Sequence, residues 1–425
     1  MFAQQNSAMP SPRARVFFVN RYFYPDESAT AQLLADLAFG LAATGVEVHV
    51  VCSRQLYTDE AAALPTRETI GAVHVHRLWT TRFGRDRLLG RAIDYASFYL
   101  TAAGFLLMRL RRRDVVVAKT DPPLISVFAA LAARLRRAVL VNWLQDVFPE
   151  VASALGANPL PAALDRLLRW LRNASLRQAA VNIVLGERMR DTIAAQGVPA
   201  AQIEVIENWA DTDALSVLSP AHSALRASLG LQDRFVVGYS GNLGRAHEYQ
   251  TLLGAAVRLR NDSSVAFLVS GGGIRMDALH LAARERGLHN IRFLPYQPRA
   301  TLRDSLAAAD VHVVSLLPGL EGLIVPSKFY GILAAGRPVF FIGDSDGEVA
   351  RVLRAHHCGV VIAPGASGDL VNAIQRLQSA SKERESMAEI ARRLAVGRYS
   401  AAAALGRWSS LLARVAEPAL VEARS

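Results

Sequence analysis

The sequence predicts an α/β protein made of two doubly wound parallel-sheet halves. Short apolar runs of strand length alternate with helical patterns from residue 15 onward, and after a break near residues 208–233 the same alternation begins again. The chain has 425 residues, 51% of them hydrophobic, which is enough apolar material for two cores.

In the first half, residues 15–20 (RVFFVN) read as the opening strand. A polar loop (RYFYPDES) leads into a helical pattern over residues 31–43, which Gly45 closes. Residues 46–52 and 73–78 alternate as strands, and residues 95–110 form an apolar helical segment. Strand 115–119, helix 124–137, strand 139–144 and strand 181–185 follow. The second half runs strand 235–239, helix 250–260, strand 266–270, helix 275–286 and strand 291–294, then strands at 311–315, 338–342 and 360–362. The expected organisation is a loose tail over 1–14, an N-terminal Rossmann-like domain over 15–207 and a linker over 208–233 carrying Pro220. A C-terminal Rossmann-like domain over 234–395 follows, then a helical segment over 396–425 able to cross back to the first domain. Ligands of open parallel sheets bind beyond the carboxyl ends of the strands, so two such edges facing one another would enclose the active site.

Lys+Arg number 48 against Asp+Glu 37, a formal charge of +11, which implies an anionic partner such as nucleic acid, phospholipid or a phosphorylated substrate. Lysine occurs only at Lys119, Lys328 and Lys382. Part of the arginine content accompanies the alanine richness of a GC-rich genome and is discounted. Cys52 and Cys358 are too far apart for a disulfide framework or a C-x-x-C metal site, and a reducing cytosol is expected. Residues 1–15 lack the regions of a signal peptide, and the nearly uncharged stretch 95–108 falls short of the roughly 20 residues that span a bilayer.

Dinucleotide binding fails at the first strand–helix turn, because residues 20–30 contain no glycine to admit a pyrophosphate. The second half does supply glycines after its first strand, in Gly241-Asn242-Leu243-Gly244-Arg245-Ala246-His247. Close backbone approach and the Arg245 fork would suit a diphosphate, whereas the bland alternative is a tight turn with a solvated arginine. Gly271-Gly272-Gly273 before Arg275 reads as a flexible turn more than an anion site. Pro326 and Ser327 can start a helix whose first turn holds Lys328, and Glu321 on the preceding loop could accept from sugar hydroxyls. The competing reading is a surface lysine and a surface glutamate.

These segments, with Ala334-Ala335-Gly336-Arg337-Pro338 and Asn208-Trp209-Ala210-Asp211, resemble family 4 glycosyltransferases of the GT-B fold. The resemblance is greatest to bacterial colanic acid, O-antigen and capsule enzymes that transfer fucose- or fucosamine-type sugars, and spans roughly residues 15–414. It implies a C-terminal domain that binds a UDP- or GDP-sugar through Gly241, Asn242, Gly244, Arg245, His247, Gln297, Glu321 and Lys328, and an N-terminal domain that receives the acceptor. Arg245 and Lys328 would neutralise the departing diphosphate, with retention of configuration, no metal and no cofactor. In one respect the chain departs from its relatives, many of which carry two glutamates separated by seven residues: the second would fall at Gly331. The first falls near Leu323, where a small shift would let Glu321 serve.

On the acceptor side, Asn142-Trp143-Leu144-Gln145-Asp146-Val147-Phe148-Pro149-Glu150 follows a strand and resembles the family's Q-D-x-x-P-E stretch. Asp146, beside Gln145, would orient an acceptor hydroxyl or act as base, unless it caps a helix. Ser28 and Thr30 could touch donor phosphate or acceptor, or cap the helix they precede. The D-x-D triplet Asp344-Ser345-Asp346 is set aside as a turn near Gly347.

Residues 165–177 form a basic amphipathic helix with Trp170 at its boundary, and residues 95–110 end in arginines. Both suit the anionic inner face of a plasma membrane presenting a polyprenyl-diphosphate-linked acceptor, or they simply cover the sheet. The arginines are not interleaved with aromatics, so nucleic acid is not an expected partner. The expected protein is thus a cytoplasmic glycosyltransferase, peripheral on the membrane. A GT-B-like sugar-nucleotide epimerase and a non-catalytic scaffold subunit are the rivals.

Overall fold

The apolar runs become the strands of two separate sheets. The computed structural model describes residues 15–57, 59, 62–84, 88–156 and 161–416, and the chain divides into two units. One takes the chain up to Glu207 together with the residues from Ala402 on, and the other takes Asn208–Ala401. The tail expected over 1–14 and the last residues of the segment expected over 396–425 lie outside the described residues.

The first unit carries β1 (Val16–Val19), α1 (Ala29–Ala43), β2 (Val48–Ser53), β3 (Arg67–Ile70), β4 (Val73–Leu78), α2 (Leu88–Arg109), β5 (Val115–Ala118), α3 (Ile125–Arg136) and β6 (Val139–Trp143). It continues with α4 (Glu150–Ala154), α5 (Ala162–Gln178), β7 (Val181–Val184), α6 (Glu187–Ala194) and β8 (Ile203–Val205). The sheet order is β3-β4-β2-β1-β5-β6-β7-β8, parallel throughout except that β3 runs against β4. Strands β1, β2, β5 and β6 are nearly continuous apolar runs because both faces of a parallel sheet are covered. On one face Phe17, Val19, Val51 and Leu140 pack against Phe98, Ala102 and Leu106 of α2 and Ala129 and Ala133 of α3.

The second unit carries α7 (Ala224–Ser228), β9 (Phe235–Asn242), α8 (Gln250–Arg258), β10 (Val265–Gly272), α9 (Ile274–Glu285), β11 (Ile291–Leu294), α10 (Leu302–Ala307) and β12 (Val311–Ser315). It ends with α11 (Lys328–Ala334), β13 (Val339–Ile342), α12 (Glu348–His356), β14 (Gly359–Ile362), α13 (Ser367–Ser379) and α14 (Ser381–Arg398). Its sheet is wholly parallel, in the order β11-β10-β9-β12-β13-β14. Helix α15 (Ala401–Ala416) then packs in the first unit, where Trp408 lies buried against Trp143 with ring centroids 4.8 Å apart.

The stretch expected as a linker, 208–233, is instead an integral part of the second unit. The Asp304 carboxylate accepts hydrogen bonds from the backbone N–H groups of Ala224 and Leu225, both at 2.9 Å. The buried Arg226 pairs with Asp310 at 2.9 Å and donates to four backbone carbonyls around it. These polar contacts act together with Leu225, Leu229 and Leu231, which pack against Val236, Leu268 and Ala308 without a strand period.

Candidate functional site

In the second unit the two glycine clusters lie side by side, because β9 and β10 pair with Gly241 opposite Gly271 and Asn242 opposite Gly272. A Cβ on Gly271 would fall 2.1 Å from the Gly241 carbonyl oxygen, and Gly241 itself has φ +109°. Gly271 and Gly273 are thus required by close backbone approach, to Gly241 and Leu243, and they fix the shape of the Gly241–Gly244 turn.

Lys328, the first residue of α11, reaches this turn. Its Nζ donates to the Asn242 carbonyl at 2.9 Å and to the Tyr239 hydroxyl, and lies over the Tyr239 ring at 4.1 Å from the centroid. Buried Tyr239 in turn donates to the Asn242 carbonyl at 3.0 Å. The lysine is half-buried, and desolvation lowers its pKa to about 7. Two of its three N–H groups are used, which leaves one for a ligand.

His247 sits beside Tyr239 and cannot supply charge. Its Nδ1–H donates to the Ser315 carbonyl at 2.7 Å, and burial, then the Lys328 charge, pushes its pKa down to about 3. The neutral ring therefore presents Nε2 as an acceptor, suited to a hydroxyl rather than to a phosphate oxygen. Arg275 donates to the His247 carbonyl at 2.7 Å, placing a second cation against the loop. Arg245 and Asn242 are exposed on the turn, and Arg245 has no partner among the described residues. Gly244 lies close behind, where a Cβ would sit 3.1 Å from the Asn242 side-chain nitrogen.

Glu321 is engaged in the fold. Its Oε2 accepts from the Glu348 N–H at 3.2 Å, so the carboxylate caps the start of α12. At Gly331 a Cβ would meet only Leu215, at 3.8 Å, so the position has room for a side chain. Gln297 lies on the loop after β11, where its side-chain amide donates to the Pro295 carbonyl at 3.0 Å. The adjacent Tyr296 packs over Gly272, which ties this loop to the glycine clusters. In the D-x-D triplet, Asp346 forms a bidentate pair with Arg351 at 2.9 Å, and Asp344 accepts from the Asp346 N–H at 2.9 Å.

In the first unit Asp146 follows β6 and caps no helix: α4 begins after Pro149 with Glu150 in its first turn, and Asp146 accepts no hydrogen bond among the described residues. It lines a small pocket with Lys119, Thr120, Asn142, Trp143 and Arg172. Asp146 is exposed at the pocket's mouth, so solvent moderates the rise of its pKa toward about 6 that desolvation and then the charge of Asp121 produce against the opposing pull of Lys119. Buried Lys119 donates to the Thr30 carbonyl at 2.7 Å and stands 3.8 Å from the Trp143 ring centroid. Its pKa falls to about 7 by desolvation, opposed by Asp121 and Asp146.

Thr30 thus enters through its backbone, and Ser28 precedes α1 with a hydroxyl that makes no capping bond and has no partner. Buried Gln145 is fixed through its backbone N–H, which donates to Thr120 at 3.2 Å. Lys119, Asp121, Tyr239 and Arg275 were not among the sequence-derived candidates. They come from strand ends and helix starts far apart in the chain, and no spacing marks them.

Comparison with known proteins agrees with this architecture. Residues 29–209 match the family described as Glycosyl transferase 4-like domain, and residues 222–394 match Glycosyl transferases group 1. The chain is 28% identical over 275 residues to the probable glycosyltransferase WbjE of Pseudomonas aeruginosa, covering 64% of this chain and 68% of the relative. It is 26% identical over 343 residues to the putative colanic acid biosynthesis glycosyl transferase WcaI of Escherichia coli K12, covering 78% and 83%. In fold it is similar to Anabaena HepE in complex with UDP and glucose, with TM-score 0.72 at 17% identity over 94% of this chain and 100% of that one. Sucrose-phosphate synthase from Thermosynechococcus elongatus gives TM-score 0.76 at 16% identity over 95% and 99%.

Proposed function

This chain belongs to the family 4 glycosyltransferases of GT-B fold, and from that premise we propose that it moves a hexose, or a deoxy- or amino-hexose, from a UDP- or GDP-sugar to a lipid-linked or oligosaccharide acceptor in bacterial surface polysaccharide assembly. The observation that carries the reading is the cluster of cations at the Gly241–Gly244 turn. Lys328 is held there with one donor to spare, Arg245 is exposed and unpaired, and Arg275 braces the loop.

As the bond from the anomeric carbon to the diphosphate breaks, negative charge builds on the departing oxygen. Lys328 and Arg245 meet that charge with groups already in place, which lowers the barrier more than groups that must first reorganise. Neutral His247 and the turn backbone hold the donor's hydroxyls. Side chains supply the positive charge in place of a divalent metal, and retention of the donor's configuration requires the acceptor oxygen to approach from the face on which the diphosphate leaves.

In the first unit Asp146, set among Lys119 and Asp121, orients the acceptor hydroxyl and relieves it of its proton as the new bond forms. One relative, WcaI, is named for colanic acid biosynthesis; for this chain the proposed acceptor is carried on a lipid and met at the inner face of the plasma membrane.

Incubation of the protein and membranes with radiolabelled UDP- and GDP-sugars, with and without EDTA, tests the reading. Label in the lipid phase that resists EDTA is expected. Isomerised nucleotide sugar would make the protein an epimerase, and neither product would make it a scaffold.

A further inference from the structure

Helix α2 is apolar on both sides. Its inner face packs on the sheet, yet the exposed positions from Leu89 to Met108 are Leu89, Ala92, Ile93, Ala96, Leu100 and Met108, without one charged or polar side chain. Leu89, Leu100 and Met108 are 80%, 69% and 76% exposed. The stripe extends over most of a 22-residue helix, about 33 Å at 1.5 Å per residue. Helix α3, packed beside α2 through the stacked rings of Tyr99 and Phe128, adds exposed Leu131 and Leu135. At the other end of α2, Phe83 lies against Gly90 and is exposed, as is Trp79. A solvent-facing helix of this size normally carries charge on its outer face.

The charge around the stripe has one sign. Arg109, Arg111 and Arg112 follow the last turns of α2, and Arg134, Arg136 and Arg137 end α3. All six are exposed, and no carboxylate pairs with any of them among the described residues. The acids nearby face inward: Asp94 of α2 accepts from Thr81, Phe83 and Gly84, and Asp114 pairs with Arg15. Helix α5 differs, because its Arg169 and Arg172 are neutralised internally by Asp165 and Glu150.

We propose that the outer face of α2 and α3 is where this protein seats on an anionic phospholipid bilayer, the Leu89–Met108 stripe entering the acyl boundary and the six arginines lying on the headgroups. The occupant follows from charge: a second copy of this face would bring no carboxylate to the guanidinium groups, whereas an anionic leaflet satisfies both the apolar stripe and its basic end. No helix among the described residues is long and apolar enough to cross a membrane, so α2 lies on the surface rather than spanning it. This deepens the proposed reading by locating the membrane contact, but it rests on the helix face and stands whether or not transfer is found.

Flotation of the full chain with vesicles tests it, using phosphatidylcholine alone and an equimolar mixture with phosphatidylglycerol, at low and high salt. Binding to the mixed vesicles that salt weakens is expected. Replacing Arg112, Arg134 and Arg137 together by Gln should weaken it by about a hundredfold, roughly fivefold per arginine. Leu100→Glu should abolish it, while both variants keep the wild-type circular dichroism melt and nucleotide-sugar binding. Three results would each overturn the proposal: no vesicle binding, equal binding by wild type and the triple variant, or a wild-type dimer in light scattering that Leu100→Glu converts to monomer.

Discussion

Lys328→Met separates what the lysine does for the ligand from what it costs the fold. The folded-state pKa of about 7 lies below the ordinary lysine value of 10.5, so folding disfavours the charged form. Below pH 7 both folded and unfolded chains hold the proton, and the penalty is fully present. Between pH 7 and 10.5 the unfolded chain keeps a proton that the folded one has lost, so wild-type stability rises with pH relative to the variant. The slope is at most about 1.4 kcal/mol per pH unit, and half-exposure of the side chain reduces it. Methionine also forfeits the hydrogen bonds to Tyr239 and Asn242, about 1 kcal/mol each, by an amount that does not vary with pH.

Donor binding should show the opposite preference, because a diphosphate takes the ammonium and not the amine. Wild-type affinity for a UDP-sugar, whose diphosphate diester keeps its charge across this range, should decline above pH 7 by up to tenfold per unit. The variant should bind about ten- to a hundredfold more weakly at pH 6 and show no such decline, since the interaction lost is a charge-assisted hydrogen bond. Thermal unfolding from pH 6 to 10, with and without the UDP-sugar, reads both effects at once. A stability difference independent of pH, or equal affinity at pH 6, would refute the placement of a desolvated, ligand-facing ammonium at this turn.

Arg245→Ala should weaken donor binding about tenfold in calorimetry and leave the unfolding temperature unchanged, because the exposed guanidinium has no partner to lose. Asp146→Asn should lower kcat by about two to four orders of magnitude, and the wild-type rate should decline as pH drops below about 6, where the carboxyl takes up its proton. Since its folded pKa is raised from 3.8 to about 6, the folded protein holds the proton more tightly, and wild type loses stability relative to this variant as pH rises across that window. Arg172→Met should cost about 3 kcal/mol in urea unfolding, because it removes the buried Arg172 and strips the partly buried Glu150 of one of its two arginines; Glu150→Gln added to it should restore part of the loss.

Most of the scaffold could be read from the chain, and the exceptions share a cause. The central strands are apolar runs because both faces are covered, and their periods survive in the sequence. Strands β3 and β8 are short, lie at the sheet edges and carry mixed polar residues, so nothing in Arg67–Ile70 or Ile203–Val205 sets them apart from loop. The stretch 208–233 was hard to read for the converse reason, since the ion pair and capping of Arg226, Asp304 and Asp310 hold it alongside apolar contacts of Leu225, Leu229 and Leu231 that follow no strand period. At the site, the glycine turn and Lys328 were legible because they occupy short contiguous motifs, while Tyr239 and Arg275 act through contacts that only strand pairing creates.

One signal for the remaining residues was nevertheless present in composition. With 48 basic residues and lysine at only three positions, arginine is this chain's default cation, and each lysine marks a place where arginine was not used. Two of the three, Lys119 and Lys328, stand over an aromatic ring at a strand-end site with pKa values brought down to about 7, while the third, Lys382, is exposed at the start of α14. The chemistry explains the choice. A guanidinium remains charged under these conditions and spreads its donors across a plane, so it would carry an undiminished desolvation penalty beneath Trp143 or beside Tyr239. An ammonium is compact, directs a donor to a single backbone carbonyl, Thr30 for Lys119 and Asn242 for Lys328, and can surrender its proton when no anion is bound. The prediction that follows is that Lys328→Arg, though it preserves the formal charge, will not restore the pH dependence of donor affinity: a variant whose affinity still declined above pH 7 would show that the titrating group lies elsewhere.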